Sequence, residues 1–203
     1  MNFARTHAPV LFLPVLALAL CLCFSLAGCN GNDDQEVRAA VDSQLTIDDD
    51  DLSSITDYLN DDTTLDAYQV KLGDYVGTLL QGYTYNIDAI STEGNDATAE
   101  ATITSRDFSS SITTFDQALT DNGKTLTKLK KHGKKKALKE TVSGMLEDAL
   151  SQAGSSTTSA TITIDLTKGQ EGWQLSDPGK FQEDWYNAMF GETLKKLDQL
   201  VSR

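Results

Sequence analysis

The apolar positions of this chain fall into three patterns: one uninterrupted run, several stretches at helical spacing, and several that alternate strictly. No charged side chain occurs from Ala8 to Ala27. Beyond that run, Val37, Ala40, Val41 and Leu45 recur at intervals of three and four, which predicts a helix over about 34–45. Leu52, Ile55 and Leu59 repeat the spacing behind Asp48 to Asp51, four carboxylates that suit the cap and first turn of a second helix. Leu65, Tyr68, Leu72, Val76 and Leu79 predict a third helix over about 64–81.

The period then changes to two. Tyr83, Tyr85, Ile87 and Ala89 alternate with polar residues, Gly94-Asn95-Asp96 supplies a turn, and Ala97, Ala99, Ala101 and Ile103 alternate again, which predicts a hairpin. The alanines of its second strand imply that something bulky, most simply a helix, packs over them. Phe108 to Ala153 returns to helical spacing with Gly133 as a break, and Gly154 to Ser159 reads as a small-residue linker. Ala160, Ile162, Ile164 and Leu166 alternate, Gly169 to Gly172 turns the chain, and Trp173 and Leu175 begin a partner strand. Pro178 opens a last helix carrying Phe181, Trp185, Ala188 and Met189 on one stripe. The order predicts an α+β domain over 35–203: N-terminal helices packed on a curved antiparallel sheet, a helical insertion between two hairpins, and a C-terminal helix.

The uninterrupted run has the organisation of an export signal, with Arg5 as the only fixed positive charge before it. Pro9 and Pro14 disfavour one continuous spanning helix. The run ends at Leu26-Ala27-Gly28-Cys29, which resembles the lipobox of bacterial lipoproteins. The resemblance implies cleavage between Gly28 and Cys29 and a diacylglyceryl group on the Cys29 sulfur. The chain is then expected on the outer face of a bacterial cytoplasmic membrane, held through that lipid. Residues 1–28 would be a lipoprotein signal peptide and 29–34 the lipidated cysteine with a short tether. An uncleaved anchor helix, or an ordinary signal cut nearby, are the alternatives. Cys21 and Cys23 would leave with the leader, so no disulfide framework or multi-cysteine metal site is expected.

Charge adds an asymmetry. The chain has 17 basic and 30 acidic residues, a net charge of −13, which disfavours nucleic acid as a partner. Yet lysines crowd between Lys124 and Lys139, with Lys130, Lys131, Lys134, Lys135 and Lys136 at their centre and no acid among them. Such a run is either a solvated helix face or a contact for an anionic surface, whether phospholipid head groups or a cell-wall polyanion.

Motifs for catalysis are absent. Counting from Asp48, an EF-hand loop would require Gly and Glu where Ser53 and Leu59 stand, so no metal site is expected. Asn122-Gly123-Lys124-Thr125 contains the end of a phosphate-binding loop, but Ala118 occupies the position of its first glycine. His132 lies among lysines without a carboxylate partner in sequence. Asp107 and Asp165 sit at or near strand ends and are the first carboxylates to consider for chemistry, although strand charges normally just face solvent. Tyr83, Tyr85 and Trp173 are candidate pocket aromatics if the sheet curls around a cleft, and core residues otherwise. No cofactor is expected.

Helices first, then strand pairs, with the last pair ending in Gly172-Trp173, resembles small exported lipoproteins of the nuclear-transport-factor-like, or cystatin-like, fold. That resemblance implies helices on a curved antiparallel sheet, with the long helical segment as a departure. Function is expected to be that of a non-enzymatic binding or interaction module for a small-molecule or protein ligand. A small-pocket isomerase- or hydrolase-type enzyme and a structural envelope protein are the alternatives.

Overall fold

The computed structural model describes residues 32–62 and 64–201. Helix α1 (Asp33–Leu45) buries Val37, Val41 and Leu45 on one stripe. Helix α2 (Asp49–Asp61) starts from a reciprocal cap: Asp48 accepts from the backbone N–H groups of Asp50 and Asp51, and Asp51 accepts from the N–H of Asp48. The acidic run is thereby explained as helix initiation.

The third helix is not continuous. Two 3-10 turns, Asp66–Tyr68 and Leu72–Tyr75, precede a single turn α3 (Val76–Leu79). Gln69 takes a left-handed conformation at φ 61°, which ends the first turn. Gly73 then presses against α2, its N–H donating to Asn60 Oδ1 at 3.1 Å. Leu65, Leu72 and Leu79 are buried as their spacing demands, but along an irregular path.

Strands β1 (Thr84–Glu93) and β2 (Asp96–Arg106) form the first hairpin, with a bulge between Ile87 and Ala89. The long helical segment resolves into α4 (Ser109–Asp121), α5 (Gly123–Lys131) and α6 (Lys135–Ser151). The breaks fall at Asn122 and at Gly133, whose φ of 63° favours glycine. Strand β3 (Thr157–Gly169) begins three residues earlier than Ala160, because Thr157 to Ser159 pair with Arg106, Ser105 and Thr104. The expected linker is thus shortened by a stretch of β-branched residues taken into the sheet. The short β4 (Gly172–Leu175) and α7 (Pro178–Val201) complete the chain.

The four strands form an antiparallel sheet in the order β1-β2-β3-β4. Helices α1 and α7 pack on its inner face. Ala97, Ala99, Ala101 and Ile103 lie there, all buried, so the small side chains of β2 are what lets those helices approach. Helices α4, α5 and α6 pack on one another, and α4 on α7, instead of spreading over the sheet. Among the described residues no helix is long and apolar enough to cross a membrane.

Candidate functional site

Among the described residues, no helix packs on the outer sheet face. Alternation puts Asn86, Asp88, Thr98, Glu100, Thr102, Thr104, Ser159, Thr161, Thr163 and Asp165 there, with no large apolar side chain. Cross-strand hydroxyl contacts tie the face together: Thr104 Oγ1 to Ser159 Oγ at 2.9 Å, Thr102 to Thr161 at 3.4 Å, and Thr98 donating to Asp165 at 3.2 Å. Thr102 also donates to Asp88 at 2.6 Å. Asp165 is accordingly part of a solvated hydroxyl–carboxylate array.

The chain enters the domain at one end of this sheet. Lys168 pairs with Asp33 at 2.7 Å and Glu36 at 3.3 Å, and its ammonium lies 5.4 Å from the centre of the Trp173 ring. Thr92 donates to Asp34 at 2.9 Å. The first turn of α1 is therefore fastened to the tips of both hairpins, and Asp33 and Asp34 belong to the helix instead of to a tether. Gly28 and Cys29 lie outside the described residues.

The lysine-rich segment joins α5 to α6, on helices that do not pack on the sheet. Strand β2 runs from the hairpin tip at Asp96 to Arg106, about 35 Å at ~3.4 Å per residue. Arg106 there donates to Gly154 O at 2.9 Å and to Ala153 O, next to the last turn of α6. The lysines stand at the opposite end of α6, about 25 Å along the helix at ~1.5 Å per residue, where α5 and the Tyr68 turn pack. Lys130 and Lys131 occupy the last turn of α5 and Lys134, Lys135 and Lys136 the start of α6, all exposed. Cations suit a helix C-terminus but oppose the dipole at an N-terminus, so α6 begins with charge that its own backbone does not stabilise. Lys136 reaches Glu140 at 3.8 Å, an exposed pair that contributes little. An external polyanion would meet positive potential from both helices.

Tyr83 and Tyr85 come together, ring centres 6.2 Å apart, whereas Trp173 lies apart at the β3–β4 tip. Tyr83 donates to Leu45 O at 2.7 Å and accepts from Trp185 Nε1 at 3.0 Å, so its hydroxyl is committed to the fold. Tyr85 donates to Asp42 Oδ1 at 2.6 Å and borders a shallow depression between α1 and β1. Burial pushes the Tyr83 phenol well above its ordinary value, and burial raises Tyr58, Tyr75 and Tyr186 as well. A raised folded-state value means this stabilisation is complete below the unfolded value near pH 10 and is lost as pH rises beyond it. Urea melts between about pH 8 and 11 are expected to show stability falling above pH 10, with Tyr83 supplying up to ~1.4 kcal/mol per pH unit. Tyr83→Phe should flatten that slope and cost ~1–3 kcal/mol at neutral pH by orphaning its two partners.

Asp107 caps α4 through the N–H of Ser109 at 2.8 Å, and hydrogen bonds from Ser109, aided by Lys196, hold its carboxyl below the usual range. That direction is opposite to what a general acid requires. Asn122 to Thr125 bridge α4 and α5 without a preceding strand, and His132 is an exposed cap of α5. Among the described residues no group of three or more metal-ligating side chains converges. The chain matches no protein-family model, no curated protein and no solved structure.

Proposed function

We propose that this chain is a lipid-anchored extracytoplasmic module that binds or organises other components of a bacterial envelope. One observation carries the reading: α1 starts at Asp33, four residues beyond Cys29, and its first turn is pinned to the sheet tips by Asp33–Lys168 and Asp34–Thr92. Four residues span at most ~14 Å, so a lipid on Cys29 would hold the domain by that end, its bare sheet face standing to the side.

The lysines of α5 and α6 stand apart from that pinned end, on helices that do not pack on the sheet. A cell-wall polyanion in front of the domain suits them better than the head groups beneath it, since surface attraction fades within a Debye length of ~8 Å. The committed hydroxyl of Tyr83 and the depressed carboxyl of Asp107 do not favour either residue as the general acid of the enzyme alternative.

Metabolic labelling with radioactive palmitate tests the anchor. The full chain expressed in a bacterial host is expected to take up label, and Cys29→Ser is expected to take up none. Label retained by Cys29→Ser, or absent from the unaltered chain, would overturn the reading.

A further inference from the structure

The two edges of the sheet are treated very differently. Edge strand β1 carries a bulge at Ile87/Ala89, the charges of Asp88 and Glu93, and cover from α1, whose Arg38 Nη1 donates to Ile87 O at 3.3 Å. Those are the devices that keep an edge from pairing with another chain. At the opposite side, β3 is thirteen residues long but β4 pairs only with Leu166 to Gly169. The N–H of Ser176 reaches Asp165 O at 2.9 Å, and there the pairing stops.

Backbone groups alternate in direction along a strand, so the side on which Asp165 O points is also the side of Thr163, Thr161, Ser159 and Thr157. Among the described residues no strand pairs with that side of 157–163. From Gly154 to Ile164 there is neither a charge nor a proline. The edge is free of bulges, rich in threonine and isoleucine, and neutral on a chain of net charge −13. Below it, α7 stands off from the strand and leaves a groove of about 350 Å³, bordered by Thr158, Ala160, Asn187, Met189, Gly191 and Glu192.

We infer that this edge is a pairing site for a second copy of the chain, joining two four-stranded sheets into one of eight. The strand is self-complementary. Antiparallel pairing about Ala160 sets Thr157 opposite Thr163 and Ser159 opposite Thr161, with each of these residues turning its backbone groups to the partner. Their hydroxyls would extend the cross-strand contacts already present between β2 and β3. The partner's inward side chains nearest the two-fold axis, Thr158 and Ala160, are small enough for the groove. Because the segment is uncharged, it is also where two strongly acidic molecules can meet without opposing carboxylates along the strand. An interface of one strand pair and a shallow groove is at the small end of specific interfaces, so dissociation in roughly the micromolar range is expected. The inference does not depend on a lipid at Cys29.

Sedimentation velocity of the full chain in detergent, up to roughly a hundred micromolar, tests it. The unaltered chain is expected to reach twice its monomer mass. Thr161→Pro is expected to remain a monomer, since the lost N–H faces the open side and serves no internal pairing. Thr161→Lys keeps the backbone donor, adds a charge to the edge, and is expected to do the same, so a folding defect in the proline variant leaves the test intact. Far-UV circular dichroism checks that each variant is folded. An unaltered chain that stays a monomer, including one that instead captures an unrelated extended peptide, would overturn the proposal. Association that survives both substitutions would overturn it too, because it would be held together elsewhere.

Discussion

Trp185→Ala is expected to lower the unfolding free energy by about 3–5 kcal/mol, the usual cost of removing a large ring from a closed core. Trp185 is 3% exposed and joins four elements. Its ring stacks on Phe181 at 5.6 Å and Tyr186 at 5.8 Å, and meets Tyr83 edge-on at 6.3 Å. Its Nε1 donates to the Tyr83 hydroxyl, which in turn donates to Leu45 O at the end of α1. One side chain thus links α7 to Tyr83, just ahead of β1, and through it to α1, while Tyr186 carries the contact on to Tyr58 of α2 at 4.5 Å. Trp185→Phe separates packing from hydrogen bonding, because it keeps a ring but loses the donor, with a loss of ~1–3 kcal/mol expected. Urea unfolding of the full chain measures both. An alanine variant no weaker than the phenylalanine variant would show that burial of the ring contributes nothing beyond its hydrogen bond.

This residue was legible in the sequence as part of a stripe with Phe181, Ala188 and Met189, because a long helix packed along one face keeps its period. The same holds for α1, for α2 with its acidic cap, and for both hairpins, except that the bulge at Ile87/Ala89 shifts the phase of β1 and turns Ala89 outward. The alanines of β2 announced the helices above them for the same reason. What the sequence could not reveal was set by the meeting of distant segments. The open edge of β3 exists because β4 ends at Leu175 while β3 continues to Thr157, and no local pattern compares two strand lengths. The small, neutral composition of Gly154 to Ser159 was the available signal, and it reads as a linker. The lysines were visible as a run, but that they ride on helices standing off the sheet follows only from the packing of α4, α5 and α6 on one another. Cys29 rests on a motif alone.

Gly73→Ala is the second change expected to act strongly, with a loss of about 2–4 kcal/mol on the scale of core overpacking. The segment from Leu65 to Leu79 has a helical pattern of apolar residues but does not form one helix, and Gly73 shows why. A Cβ built there would lie 2.6 Å from Asn60 Oδ1, 2.7 Å from Asn60 Nδ2 and 2.7 Å from Thr56 O. The asparagine side chain could rotate away, but it would abandon the hydrogen bond that it accepts from the Gly73 N–H. The Thr56 carbonyl is part of the α2 backbone and can yield only if the helix moves. Either response separates α2 from Leu72 and Tyr75, which are buried against it. The backbone at Gly73 is not in the left-handed region, so close approach and not strain is the cause. Asn60→Ala provides the control. It removes two of the three close atoms and the hydrogen-bond acceptor, and on its own is expected to cost ~1 kcal/mol. The double variant should therefore lose less than the sum of the two single losses in urea unfolding. A fully additive double variant would place the clash entirely on the Thr56 carbonyl, and a Gly73→Ala variant as stable as the unaltered chain would show that α2 and this segment are not in the contact described.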